Sequence, residues 1–309
     1  MEDAQNNVQI TSRGEINFAW IASTLLAAKN TILITTFVFA AVAVGYSLLL
    51  PDIYKSQAIL VAADETAGIG MTGQLGSLAA MAGVNLGKGK GEDKSELAVN
   101  ILKSKDFIIR FLERHNAAID LMAAESWDPI SRTLRYDNTV YDHSISKWTR
   151  KVDAPLTPEP SGQTLHKEFI KIFAVSKDKL TGIITISISH PSPIVARRWL
   201  DSMITDINEE VRVRDQKQAE KSINYLTVKA SETNLTELRS IFYKMIEEQT
   251  KTLLLANVRD EYALKVIDPP LEAEEKSEPK RALIVILFTV IGFLLSVVVV
   301  LLRASAVRR

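Results

Sequence analysis

Two uncharged apolar runs dominate the pattern along this chain, residues 31–50 and 282–302, of 20 and 21 residues. Each is as long as a helix needs to be to cross about 30 Å of hydrocarbon. The stretch between them, residues 51–281, is mixed in polarity and carries the working part. A cleaved signal peptide is the competing reading of the first run. Its apolar core exceeds the roughly 7–15 residues of a signal, and the Ala-x-Ala-like triplet Ala41-Val42-Ala43 lies inside it, so an uncleaved anchor is favoured. Small-xxx-small pairs, Ala41 with Gly45 and Gly292 with Ser296, suit close helix packing within the spans.

Before the first run, Phe18, Ile21 and Leu25 form one face of an interfacial helix. After it, residues 58–62 read as a strand. Eight glycines between residues 68 and 91 then cost too much backbone entropy for a regular element, which predicts a loop. Helical spacing returns from Ser95 to His115, with Ser104 placed to cap its second half. Trp127, Tyr136, Tyr141 and Trp148 dot a polar stretch; they read as local core, with sugar stacking as the minority reading. Pro155, Pro158 and Pro160 mark a linker, and residues 169–177 and 183–190 read as two strands of a hairpin.

Ser192 and Pro193 open a helix as cap and first-turn proline, and helical character runs from there to about Tyr262. Ala196, Trp199, Leu200, Met203 and Ile207 make an early core face. Eight of the 13 residues from Glu209 to Lys221 are charged, which predicts a helix solvated on nearly every side, with Glu210 and Arg214 as an i,i+4 pair. The break is expected at residues 231–234, with Asn234 and Glu237 as a capping box. Leu235, Leu238, Phe242, Met245 and Leu253 should pack the return limb on its neighbour. A last strand, residues 263–268, leads through prolines and glutamates into the second span.

Composition narrows the chemistry. With 37 basic and 37 acidic residues there is no net field to draw nucleic acid, and with no cysteine there is no disulfide, thiolate metal site or cysteine nucleophile. The four histidines are scattered singly, without HExxH spacing, and no G-x-S-x-G elbow occurs. The run Gly87-Lys88-Gly89-Lys90-Gly91 lacks the spacing of a phosphate-binding loop and reads as solvated. No carboxylate spacing nominates an acid–base pair, Asp52, Asp120 and Asp137 included. The expectation is no catalytic residue, no cofactor and no metal. Arg13, Lys29, Arg303, Arg308 and Arg309 place both termini in the cytoplasm by the positive-inside rule; Lys280 and Arg281 argue the other way with less weight.

The chain resembles the Wzz-type chain-length determinants, or polysaccharide co-polymerases. The resemblance is carried by Pro51 with Tyr54, by Gly76-Ser77-Leu78-Ala79-Ala80 through Asn85-Leu86-Gly87, and by Leu102-Lys103-Ser104-Lys105-Asp106-Phe107. Trp127-Asp128, Tyr136-Asp137 and Tyr141-Asp142 follow, then His190-Pro191-Ser192-Pro193 with Ala196 and Trp199. Glu247-Glu248-Gln249-Thr250, Val258-Arg259-Asp260-Glu261-Tyr262, Val266-Ile267-Asp268-Pro269 and Pro279-Lys280-Arg281 complete it, and Ala273 stands where the family usually has a further proline. The positions singled out for a structural or assembly role are Pro51, Tyr54, Ser192, Pro193, Trp199, Asp268, Pro269, Pro279 and Gly292.

The resemblance implies an α+β membrane protein with a periplasmic α/β base and a long projecting helical hairpin between two spans. The expected division is a cytoplasmic segment 1–30, a span 31–50 and a base 51–192 with its glycine-rich loop 68–91. The hairpin 193–262, a last strand and proline-containing segment 263–281, a second span 282–302 and a cytoplasmic tail 303–309 follow. It further implies a ring-shaped homo-oligomer, an octamer being one possible count, in the bacterial inner membrane. The ring would act with the membrane O-antigen polymerase on a lipid-linked polysaccharide and set its length without catalysing a reaction. The alternative is a capsule or exopolysaccharide export co-polymerase working with a separate tyrosine kinase. The seven residues after the second run are too few for a kinase or sensor output domain.

Overall fold

The computed structural model describes residues 25–63 and 90–307. The expected interfacial helix up to residue 24 and the glycine-rich stretch up to residue 89 lie outside the described residues. The described residues fall into two compact units, one holding the chain up to Pro51 and from Glu278 on, the other Asp52–Ser277.

The first unit pairs two apolar helices, α1 (Lys29–Leu49) and α8 (Arg281–Val307), both long and apolar enough to cross a membrane. Gly292 faces Phe39, and Tyr46 lies 6.5 Å from Phe288, so the helices run antiparallel. Ile32, Ala43 and Ser47 on α1, and Gly292, Ser296 and Val300 on α8, are buried; 43 and 47, and 292, 296 and 300, are spaced by four. Large apolar side chains such as Phe37 and Leu49 point outward, as a lipid solvent requires. The hydroxyls of Ser47, Thr289 and Ser296 bond carbonyls of their own helix. The expectation for Ala41 and Gly45 fails: both are exposed, nothing lies within 4 Å of a Cβ built on Gly45, and Ala43 with Ser47 is the pair that packs.

The second unit is built on an antiparallel sheet ordered β6–β7–β1–β8, comprising β1 (Tyr54–Ala62), β6 (Phe173–Lys177), β7 (Ile184–His190) and β8 (Leu264–Asp268). Tyr54 pairs with His190 and Leu60 with Ile184. Ile184, Ile186 and Ile188 are fully buried beside Ala58 and Leu60, while Thr185 and Ser189 face the other way, the period-two pattern of a half-buried strand. Helices α2 (Lys90–Leu102), α3 (Lys105–Arg114), α4 (Ala118–Ala123) and α5 (Gly162–Ile172) accompany the sheet. Ser104 accepts from Phe107 N and caps the second half as expected, so the stretch is two helices, the first opening five residues early at Lys90.

The expected strand from residue 169 starts instead at Phe173, because residues 162–172 are helical. Ser161 caps that helix, and Leu165 with Phe169, one turn apart, turn one face onto Phe111. A short apolar run fits either period, and the buried i,i+4 pair decides it. The aromatic-dotted stretch forms two hairpins, β2 (Ala124–Asp128) with β3 (Thr133–Tyr136), and β4 (Tyr141–Asp142) with β5 (Lys147–Trp148). Tyr141 meets Trp148 edge-on at 5.0 Å and His143 at 4.9 Å, so these rings pack on one another.

The long helix α6 spans Pro193–Glu232, 40 residues or about 60 Å at 1.5 Å each. It turns back into α7 (Thr236–Val258). Asn234 makes no capping box: Leu235 holds the cap position, and Arg239 closes the turn by donating to the Thr233 carbonyl at 2.7 Å. Nor is the helix solvated all round from Asn208 to Lys221. Asn208, Val211 and Ala219 are buried, and Glu210 pairs with Arg110 of α3 at 2.9 Å rather than with Arg214. The stripe is one residue wide and made of small or polar side chains, so flanking charges conceal it in any average over the sequence. On the return limb, Phe242 and Leu253 are half-buried and Ala256 fully so, while Leu235, Leu238 and Met245 remain exposed. Between the limbs Ala219, Leu226, Ala230 and Ala256 are buried, three of the four being alanines.

Lys217 lies on the exposed side of α6. Proline there removes a helix hydrogen bond and clashes with the preceding turn, costing about 3 kcal/mol or more. Lys217→Pro should therefore detach the distal half of the hairpin, seen as new proteolytic cleavage near residue 217, whereas Lys217→Ala should be silent. Equal digestion of both variants would contradict a continuous, rigid helix.

Candidate functional site: the seat of the long helix

Three groups of side chains bind α6 to the sheet and to the flanking segments. The first lies where β7 ends. Ser192 is completely buried, its Oγ accepts from Val195 N at 3.4 Å, and Pro193 fills the first turn. Such a cap is worth about 1 kcal/mol. His190 Nε2 lies 2.9 Å from the carbonyl of Asp120, and its Nδ1 accepts from Ser192 N at 3.0 Å. Asp120 also accepts from Tyr136 OH at 2.7 Å and from Arg198 at 3.0 Å, so one residue of α4 ties β3, β7 and α6 together. Burial and the Asp120 carboxylate together push the Tyr136 phenol well above its usual range. Trp199 packs edge-on against His190 at 5.1 Å and near Phe169 at 6.1 Å.

Two turns on, Asn208 is the second joint, 5 % exposed. Its Nδ2 donates to the carbonyls of Ile204 at 3.2 Å and Leu264 at 2.9 Å. Its Oδ1 accepts from Ala263 N at 2.8 Å and Leu264 N at 2.9 Å. The amide thus fills its bonding capacity, with three of its four bonds joining α6 to the start of β8. The third joint is Asp215, which accepts from Tyr262 OH at 2.7 Å and pairs with Lys94 of α2 at 3.1 Å. Burial opposes the charge on Lys94, but the bonds to Tyr262 and Asp215 outweigh it and raise its pKa; burial raises that of Tyr262.

At the opposite edge, Ser56 Oγ donates to the Leu271 carbonyl at 2.8 Å, and Ser277 N donates to the Ile53 carbonyl at 2.8 Å. The two segments leading toward the apolar helices are thereby bonded together. Glu272 accepts from Arg132 at 2.8 Å and Arg197 at 3.4 Å. Between α6 and β8 with its flanking residues lies a cavity of about 410 Å³, lined by Asp201, Ile204, Thr205, Asn208, Glu209, Arg212, Asp260, Glu261, Val266, Pro269 and Pro270. Burial raises the Asp201 carboxyl above its usual value.

The positions singled out from sequence are thus scattered. Ser192, Pro193 and Trp199 meet at the seat, and Tyr54 lies opposite His190 in β1. Asp268 closes β8 opposite Ile59, and Pro269 lines the cavity. Pro51 is exposed, Pro279 follows a cis peptide, and Gly292 is in the helix seam. Asn208 and Asp215 were not singled out, and Asp120 was named only as a carboxylate without a pairing spacing; Asn208 and Asp215 are polar residues on a charged helix, and only the stripe spacing to Ile204 and Val211 distinguishes Asn208 from its neighbours.

Two family models match the sequence: the chain length determinant protein model, Wzz, over residues 14–115, and the model of a G-rich domain borne by tyrosine kinases over residues 236–305. No curated protein sequence matches the chain at a significant level. Among solved structures, a full-length bacterial polysaccharide co-polymerase is 13% identical, covering 96% of this chain and 99% of that one, with a TM-score of 0.40. A fragment of WzzB, a polysaccharide co-polymerase from Salmonella Typhimurium, is 13% identical, covering 74% of this chain and 100% of that one, with a TM-score of 0.31.

Proposed function

We propose, from the match of residues 14–115 to the Wzz chain length determinant model, that the chain sets the length of a lipid-linked polysaccharide, O-antigen, as a homo-oligomeric co-polymerase beside a membrane polymerase. The observation that carries this reading is the joining of one sheet-based unit to a 40-residue helix through Asn208, His190 and Asp215, with the unit's two outgoing segments bonded at Ile53 and Ser277. These joints fix the departure of α6 from the sheet at three places along its length, which suits a positioning scaffold. The protein makes and breaks no bond in the polymer. Deleting the gene should leave polymer synthesis intact and randomise polymer length on a gel of surface polysaccharide. Loss of all polymer, or an unchanged length distribution, would overturn the proposal.

In this reading both termini are cytoplasmic, residues 51–281 lie in the periplasm, and the protein sits in the inner membrane. The arginines after the second run support that orientation. A phosphatase reporter fused after Arg303 should be inactive and one inserted near Leu180 active; the reverse pattern would invert the topology. A second reading, export of capsule or exopolysaccharide with a separate tyrosine kinase, is favoured by the match over residues 236–305 to a domain borne by tyrosine kinases. It predicts that the deletion alters capsule and leaves O-antigen length unchanged.

A further inference from the structure

The imidazole of His190 is 2 % exposed, and both its nitrogens are engaged. The Asp120 carbonyl can only accept and the Ser192 amide can only donate, so the ring must be neutral, with its hydrogen on Nε2 and a bare Nδ1. We propose that His190 is an acid-sensitive latch on the long helix: a proton on Nδ1 turns an acceptor into a donor facing the Ser192 N–H, and this frees the capped end of α6 from β7. Ser192 is the cap of α6, so the group that loses its partner is the residue from which the whole helix departs.

The surroundings favour the neutral ring. Burial pushes the imidazole below its usual value, and Arg198 adds to this. The partially positive end of α6 acts in the same direction. Asp120 favours the charged ring, but its carboxylate is already shared between Arg198 and Tyr136. Trp199 meets the ring edge-on, and Tyr54 lies opposite in β1. A histidine whose folded pKa is depressed contributes its stability above the unfolded value of about 6.5 and loses it as pH falls below that, because the unfolded chain then binds the extra proton. The latch therefore holds at neutral pH and weakens below about 6.5. Only its consequence for polymer length, a distribution that changes with acidity, rests on the proposed function.

The test uses the full chain in detergent micelles, as wild type, His190→Asn and His190→Gln. Asparagine can keep the acceptor for Ser192 N–H and glutamine the donor for Asp120, and neither titrates. Amide exchange in the first turn of α6, corrected for intrinsic rates, should rise several-fold in wild type between pH 7.5 and 5.0 and stay flat in both variants. The same slope in wild type and variants would overturn the latch. Exchange at the imidazole C2–H, followed by mass spectrometry on wild type alone, keeps the idea testable if the variants fail to fold. A half-exchange pH for His190 well below 6.5 supports it, and one at or above 6.5 refutes it.

Discussion

Asn208→Leu is expected to prevent residues 52–277 from reaching a protease-resistant fold. Leucine fills a similar volume but leaves the amides of Ala263 and Leu264 and the Leu264 carbonyl without their partner, in a place where Ala263 and Leu264 are buried. Each buried polar group left unpaired costs about 1–3 kcal/mol, so three together cost roughly 3–9 kcal/mol. Whole domains are stable by only about 5–15 kcal/mol, so such a loss should be visible as poor accumulation in the membrane. Asn208→Asp keeps the two accepted bonds and loses the donated ones, and should fall between. The measurement is the level of membrane-inserted protein together with limited proteolysis of the 52–277 region. Wild-type level and resistance in Asn208→Leu would show that the amide is not the joint described.

The second large effect is expected in the membrane helices. A Cβ on Gly292 would lie 2.5 Å from Cβ and 2.6 Å from Cγ of Phe39, and a Cβ is not the far end of a flexible side chain. Any substitution must push α1 and α8 apart or shift one along the other. Overpacking of this kind costs about 1–3 kcal/mol. Gly292→Leu should therefore lower the aggregation temperature of the detergent-solubilised protein and reduce its assembled mass. Gly45→Leu is the internal contrast, since nothing lies within 4 Å of a Cβ there. Equal loss in both variants would point to helix propensity or lipid exposure in place of the Phe39 contact.

The apolar runs, the strand 184–190, the Ser192–Pro193 helix start and the Ser104 cap were legible because each rests on residues adjacent in sequence: a span length, a period-two pattern, a cap. So was the direction of the family resemblance, whose residues lie in order along the chain. What misled was averaging. Charges at Glu209, Glu210, Arg212 and Arg214 hid the narrow line of Asn208, Val211 and Ala219 that α6 turns inward. The apolar pattern of the return limb nominated Leu235, Leu238, Phe242, Met245 and Leu253 as the seam; Phe242 and Leu253 are half-buried, but Leu235, Leu238 and Met245 are exposed.

Sequence alone determined the two spans, the length of α6 and its starting point, because those depend on hydrophobicity and local capping over a few consecutive residues. The tertiary structure alone decided that residues 162–172 coil into a helix, that Gly292 sits against Phe39 while Gly45 does not, and that Asn208 and His190 are the joints. The bonds concerned reach from 208 to 264 and from 190 to 120, and a hydrogen bond between residues so far apart leaves no periodic trace in either segment. It exists only once the sheet has brought the segments together and excluded the water that would otherwise have served as partner.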